Sequence, residues 1–523
     1  MIRMVLALLL VLVPATARAE WWRAETDHFI IYSQDKRGPT EQFAMELERF
    51  DNALRMLQNL PIRPEKPMSR ANKVTIFRTG TAEDMARLAG APGSGIAGFY
   101  IPRAGGAVAF TPARAETRDL RSIDDRERDS RTELDPRTIL QHEYVHHFML
   151  QTFSATYPSW YVEAFAELYG TISLEPGGSF RVGKPPQHRA DQIFELPDIP
   201  LKQLFDQNAE LREMQRYQFY GFGWLVAHYL SFEPKRKGQL RAYLKALDQG
   251  QDGLTAARSA FGDLDQLQKE LRAYKSANFP SFGVKPNNYT PPAVNVRPLA
   301  EPEAAVMSEY MRSRRGVSKK TAPDVANDVG PKARRYLDNA FVQAAAAEAF
   351  LDARRFDEAD AAADRALALD PNLVDALVLK GMIGIERGKA GDKPRFAAAR
   401  APLAKATRVD AQDPRAFILY YETFRNAGEP APEAAAAGLE QVFPEAASDS
   451  EYRVILARQL LIDGKGNDAR AVLAPIVYQF HGDQKDNKLR AVMDLIRANK
   501  VPEARAKLDE IINKAEADAK KDK

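Results

Sequence analysis

The sequence predicts an α+β domain, with a small mixed sheet and helices that carry its chemistry, followed by an all-α superhelix of paired helices. Three observations carry this reading. Short β-type runs alternate with helical periodicity before residue 111; His142-Glu143-Tyr144-Val145-His146 lies in a helical pattern; and alanine-rich amphipathic segments succeed one another from about residue 334. At 523 residues the chain exceeds one ordinary core, since domains hold roughly 50 to 250 residues. The expected divisions are 1–19, 20–285, 286–333 (a linker and connecting helix) and 334–523.

The first nineteen residues read as an export signal: Arg3 precedes the apolar run Met4 to Val13, and Ala17-Arg18-Ala19 offers small residues for cleavage. The run is shorter than the roughly 20 residues that span a bilayer, so cleavage and release are expected rather than an anchor. No other run reads as transmembrane, which places the mature protein in the periplasm or outside the cell. A formal net charge of +3, with no basic stripe bearing aromatics, gives no reason to expect a nucleic-acid partner. The chain has no cysteine, so disulfides, a catalytic thiol and thiolate-bound metal are excluded.

His28 to Ser33 and Lys73 to Phe77 are expected strands, separated by a helix over about Pro39 to Leu60 whose Phe43, Leu47, Phe50, Leu54 and Leu57 share a face. Ala97 to Tyr100 and Ala107 to Phe110 suggest a hairpin-like pair. Arg114 to Arg137 reads as a charged loop. Asp135-Pro136 then fits an N-cap with proline at the first helical position, opening a helix to about Phe153. Glu163 to Tyr169, Tyr217 to Leu230 and Gln239 to Tyr274 have helical character, whereas Pro280 to Pro298 reads as loop.

His142 and His146 are four apart, so one helix face can aim both imidazoles at a common point. Neutral imidazole is a good zinc ligand, and a carboxylate beside the pair, Glu143, suits a general base that activates a zinc-bound water. His147 falls about 100 degrees further round and reads as a supporting or surface residue. The competing reading is two core histidines satisfied by their neighbours. In the following segment Glu163 and Glu167 are again four apart among apolar and small residues. Burying both without partners is costly; a metal for Glu163 and a liganding histidine for Glu167 would resolve that cost, and a surface helix would avoid it. Tyr217 and Tyr220 are candidate donors to a developing oxyanion, with His228 a weaker one; core packing is their alternative role.

Gln141 to His146, followed by Trp160 to Glu167, resembles the gluzincin branch of zinc metallopeptidases, a zincin-like fold. The resemblance implies Zn2+ held by His142, His146 and Glu163, with Glu143 as base and Glu167 hydrogen-bonded to a zinc histidine. Over about residues 24 to 280 the order of elements is similar to exported bacterial peptidase-MA-like proteins. Ala164 stands where such proteins usually have glycine. Further on, Phe356, Ala359 and Ala366 are matched by Phe396, Ala399 and Ala406, with a fainter echo at Pro502 to Leu508. These spacings resemble tetratricopeptide repeats over about residues 335 to 515, with poor copies around 415 to 480; an irregular alanine-rich bundle is the competing reading.

The family resemblance implies peptide-bond hydrolysis, with an extended peptide paired to an edge strand, for which Gly106 to Phe110 is the candidate. The expected partners are a peptide or protein substrate and a protein on the helical repeats. The alternative function is a non-enzymatic envelope scaffold that binds proteins through the repeats; a general base at Glu143 argues against it.

Overall fold

The computed structural model describes residues 20–523 except 95, 97, 114–135, 154, 156, 207–208, 479–486 and 523, with backbone only for 519–522. The export signal, the N-cap Asp135 and most of the charged loop lie outside the described residues.

The N-terminal part builds a six-stranded mixed sheet. Its first strands are β1 (Trp22–Glu25) and β2 (Phe29–Ser33), followed by helix α1 (Arg37–Leu57), β3 (Val74–Arg78), α2 (Ala82–Ala89), β4 (Phe99–Ile101) and β5 (Val108–Thr111). Strands β2, β3 and β5 run parallel; β4 pairs antiparallel with β5, and β1 antiparallel with β2. The motif helix α3 (Pro136–Thr152) and α4 (Ser159–Gly170) then cross one face of the sheet. A second, three-stranded sheet contains β6 (Ser173–Leu174) and β7 (Phe180–Val182). Beyond it come two short helices, α5 (Ala190–Phe194) and α6 (Leu201–Leu204), and then the long α7 (Glu213–Phe232). The span expected to be helical from 239 to 274 is three helices, α8 (Gln239–Asp248), α9 (Gly253–Phe261) and α10 (Leu264–Lys275).

Residues 280–298, expected as loop, instead supply β8 (Phe282–Val284), which pairs with β7, and β9 (Asn295–Pro298), which pairs antiparallel with β1 as an edge of the main sheet. Pro298 ends β9, an edge position where a missing N–H is tolerated. The sheet is thus completed by chain beyond the expected division at 285. The candidate edge Gly106 to Phe110 is also corrected: β5 is flanked by β3 and β4, so the sheet ends at β4 on that side.

Both faces of the main sheet are covered, which is why β2 and β3 read as nearly continuous apolar runs rather than alternating ones. Phe29, Ile31, Val74 and Ile76 pack toward α1, α3 and α4. Their neighbours in register, Ile30, Tyr32 and Phe77, pack with Val108 and Phe110 against Val306, Met307 and Tyr310 of α11 (Glu301–Arg315). The segment expected as linker and connecting helix therefore contains a helix that seals the sheet, followed by α12 (Ala322–Arg335).

From α11 onward the chain is a long, repeat-like succession of helices. It includes the pairs α13 (Ala340–Asp352) with α14 (Phe356–Leu369) and α15 (Val374–Lys389) with α16 (Pro394–Val409), then α17 (Pro414–Ala427). Ala359 and Ala366 of α14, and Phe396, Ala399 and Ala406 of α16, are buried, as their recurring offsets require. Helices continue through the stretch of poor copies to α18 (Val501–Asp522), including Ser450–Ile462. Among the described residues, no helix is long and apolar enough to cross a membrane.

Candidate metal centre

Helix α3 opens at Pro136 and presents His142 and His146 one turn apart on its exposed side, while Leu140, Tyr144, Val145 and Phe148 are buried behind them. Helix α4 lies against α3 closely enough that a side-chain carbon added at Gly170 would sit 3.3 Å from the backbone of His142, so any larger residue there crowds the motif helix. Ala164 lies within a regular helix and faces Gly223 of α7, so alanine at this position costs no packing space.

The two helices bring three ligand atoms together. His142 Nε2 and His146 Nε2 are 3.1 Å apart, and Glu163 Oε2 lies 3.4 Å from the first and 3.5 Å from the second. Donors 2.0–2.1 Å from a tetrahedral zinc lie about 3.4 Å from one another, so this donor set fits Zn2+ in both chemistry and spacing. Glu163 is only 2% exposed and Glu167 1%, which removes the surface-helix alternative for α4. Burial by itself would raise the Glu163 carboxyl, but the His146 and His142 imidazoles outweigh it and hold the group well below the usual carboxylate range. Burial would likewise lower His142, yet Glu163 and Glu167 raise it.

Glu167 sits behind these three residues, 3.6 Å from His142 Nδ1. It also accepts from Arg189 Nε at 2.9 Å and meets His188 Nε2 at 3.1 Å. Burial, which would raise it, is again outweighed by His188, His142 and Arg189. His188 and Arg189 were not expected here. They are remote in sequence from both helical motifs, and their only signal was an adjacent imidazole and guanidinium after Pro185-Pro186.

A pocket of about 540 Å³ contains this cluster and is lined by Glu143, Tyr220, His188 and Arg189 besides His142, His146 and Glu163. Tyr220 lies under the Arg189 guanidinium, 4.6 Å from ring centre to Cζ, and its hydroxyl is pushed up by burial and by Glu163. A wider groove of about 1240 Å³ adjoins the pocket and shares Thr138, His188 and Arg189 with it.

Tyr217 is not brought to the cluster: it is half-exposed, lines the groove and donates to Asp191 at 2.7 Å. His228 is a core residue; its Nε2 faces the carbonyls of Gly183 and Pro280, its Nδ1 accepts from Tyr274, and its ring stacks on Phe232 at 4.2 Å. His147 is not a surface residue: its Nδ1 is 2.7 Å from the Tyr100 hydroxyl, and burial pushes the imidazole down to about 4.

Behind α3 lies a second polar cluster. Glu48 on α1 accepts from both the backbone N–H and the Nδ1 of His28, while Asp51 accepts from Tyr144 at 2.7 Å and from Arg55 at 2.6 Å. Its own cations, Arg55 and His28, balance the two carboxylates.

No family model matches the sequence, and no curated protein matches it. Among solved structures, a thermophilic TPR protein in Thermus thermophilus is similar over 38% of this chain and 97% of its own, with 16% identity and a TM-score of 0.29.

Proposed function

We propose that the protein is a zinc-dependent peptidase or related amide hydrolase, exported to the periplasm or the cell exterior. The observation that carries this reading is the convergence of His142 Nε2, His146 Nε2 and Glu163 Oε2 at tetrahedral spacing, with Glu143 lining the same pocket. His142, His146 and Glu163 would hold the ion. Zinc bound there would supply a Lewis acid that makes water more acidic and polarises a carbonyl oxygen. Glu143, which is not among the converging ligands, takes the proton of the attacking water and returns it to the departing amine nitrogen. The Glu167 carboxylate, 3.6 Å from His142 Nδ1, favours a proton on that nitrogen, which leaves Nε2 free to ligate. Tyr220 donates its hydroxyl to the oxygen on which charge develops. The substrate class is an extended peptide: β4 ends the sheet, and the groove continues from the pocket. Export rests on the charged, apolar and small-residue pattern of 1–19.

The test is cleavage of an unfolded protein by the unmodified chain and by Glu143→Gln, with and without chelator. Chelator-sensitive cleavage that is lost in a variant still holding zinc supports the reading. Equal cleavage by both proteins overturns it.

A further inference from the structure

The helical array has an inner face, and part of it is already filled. One cavity of about 660 Å³ is lined by residues of α11, α13, α15, α17 and the helix Ser450–Ile462, and also by Pro102 to Gly106, the tip of the β4–β5 hairpin. The tip is held there by directed contacts. The Ala104 N–H donates to Asp449 Oδ2 at 2.8 Å, and the Arg103 guanidinium donates to the carbonyls of Arg314 at 2.6 Å and Arg315 at 3.4 Å. Ala104 also packs against the apolar cluster that contains Tyr452 and Leu456.

The fit excludes a side chain. Gly105 has φ +62°, and a carbon added to it would lie 2.7 Å from Arg415 Cγ and 3.1 Å from Asp413 Oδ1. The same hairpin is tied to the motif helix, because Tyr100 on β4 bonds His147 of α3. The C-terminal end of α3 is tied to the array as well, through Gln151 and the Pro444 carbonyl.

We propose that the inner face of the array is a seat for the chain's own hairpin, residues 102–106, so that the array clamps the sheet edge that β4 forms. The occupant matches its seat: a backbone N–H meets the Asp449 carboxylate, a guanidinium meets carbonyls, and Gly105 passes where a side chain would crowd Arg415, Asp413 and Pro414. The effect on catalysis rests on the metallopeptidase reading, since it requires β4 to pair with substrate; the clamp itself does not.

The experiment uses the full chain and two variants. Gly105→Val drives a branched side chain into Arg415, and Asp449→Asn replaces the acceptor of the Ala104 N–H while keeping an oxygen to cap its helix. Hydrogen–deuterium exchange is followed over residues 99–106 and, as an internal control, over β2 and β3. Slow exchange over 99–106 in the unmodified protein, faster at least tenfold in either folded variant with β2 and β3 unchanged, is the expected result. Fast exchange over 99–106 in the unmodified chain, or no change in both variants, overturns the clamp. If the chain cleaves peptides, KM rises at least threefold in the variants while kcat stays within twofold; unchanged KM alongside faster exchange overturns the link to substrate. Absence of cleavage by the unmodified chain counts against the peptidase reading and leaves the exchange result to decide the clamp.

Discussion

Glu143, Glu167 and Tyr220 share one pocket wall or its backing, yet their substitution should read out differently. Glu143→Gln keeps the ligand set intact and removes the proton acceptor, so zinc content is unchanged and kcat falls by about 10²–10⁴. Glu167→Ala leaves Glu143 in place and frees the His142 ring; competition with a chromophoric chelator should show zinc affinity weakened about 10–100-fold. Tyr220→Phe should lower kcat, whereas Tyr217→Phe, whose hydroxyl serves Asp191, should leave both kcat and zinc affinity as they were.

The His28 cluster gives a pH signature at the same scale. Burial would lower the His28 imidazole, but Asp51 and Glu48 outweigh it and raise it above its ordinary value, while Arg55 opposes them. The protonated ring thus stabilises the fold fully below about pH 6.5, and that contribution is lost as pH rises through the raised folded value. His28→Gln should therefore lower Tm at pH 6 and close most of the gap to the unmodified protein by pH 9. A gap that widens toward alkaline pH would contradict this origin.

At the scale of elements, the close crossing of α3 and α4 makes the site. Gly170→Val would press a side chain onto the His142 backbone, which cannot move without moving the ligand. A loss of about 1–3 kcal/mol in stability, together with weakened zinc binding, is expected from chemical denaturation and metal titration. The four-residue spacings of His142 with His146 and Glu163 with Glu167 were legible in the sequence because helical periodicity fixes which side chains share a face. Helix α4 was legible for a second reason: its glutamates stand among apolar residues and need partners. His188 and Arg189 were not legible, because only tertiary packing brings their loop to Glu167. Strand β9 was hidden by its flanking prolines, and β4 took the edge from β5 because pairing order is a long-range choice that local runs do not encode. Tyr217 and Tyr220 could not be separated by sequence, because residues three apart lie only about 60 degrees apart around a helix and share a face; their different heights along α7 put the first in the groove and the second in the pocket.

At the scale of the whole molecule, the sheet joins the N-terminal strands to the middle of the chain. Ile30, Tyr32 and Phe77 lack the cover of Val306, Met307 and Tyr310 until α11 is added, and β1 lacks its outer neighbour until β9 is added. A fragment of residues 20–285 should therefore aggregate or unfold without cooperativity, whereas the full chain stays dispersed and melts cooperatively; size-exclusion chromatography and calorimetry distinguish these outcomes. The repeat-like region was legible from its recurring alanines, but its packing on the sheet was not, since Ser69 and Asn72 meet Asp410 and Gln412 across more than 300 residues. The metal decides the functional assignment. Zinc stoichiometry, measured on protein purified without chelator, should be one per chain for the unmodified protein and for Glu143→Gln, and should fall sharply in Glu163→Gln. No zinc in the unmodified protein, or equal zinc in Glu163→Gln, would contradict the assignment of this cluster as the metal centre.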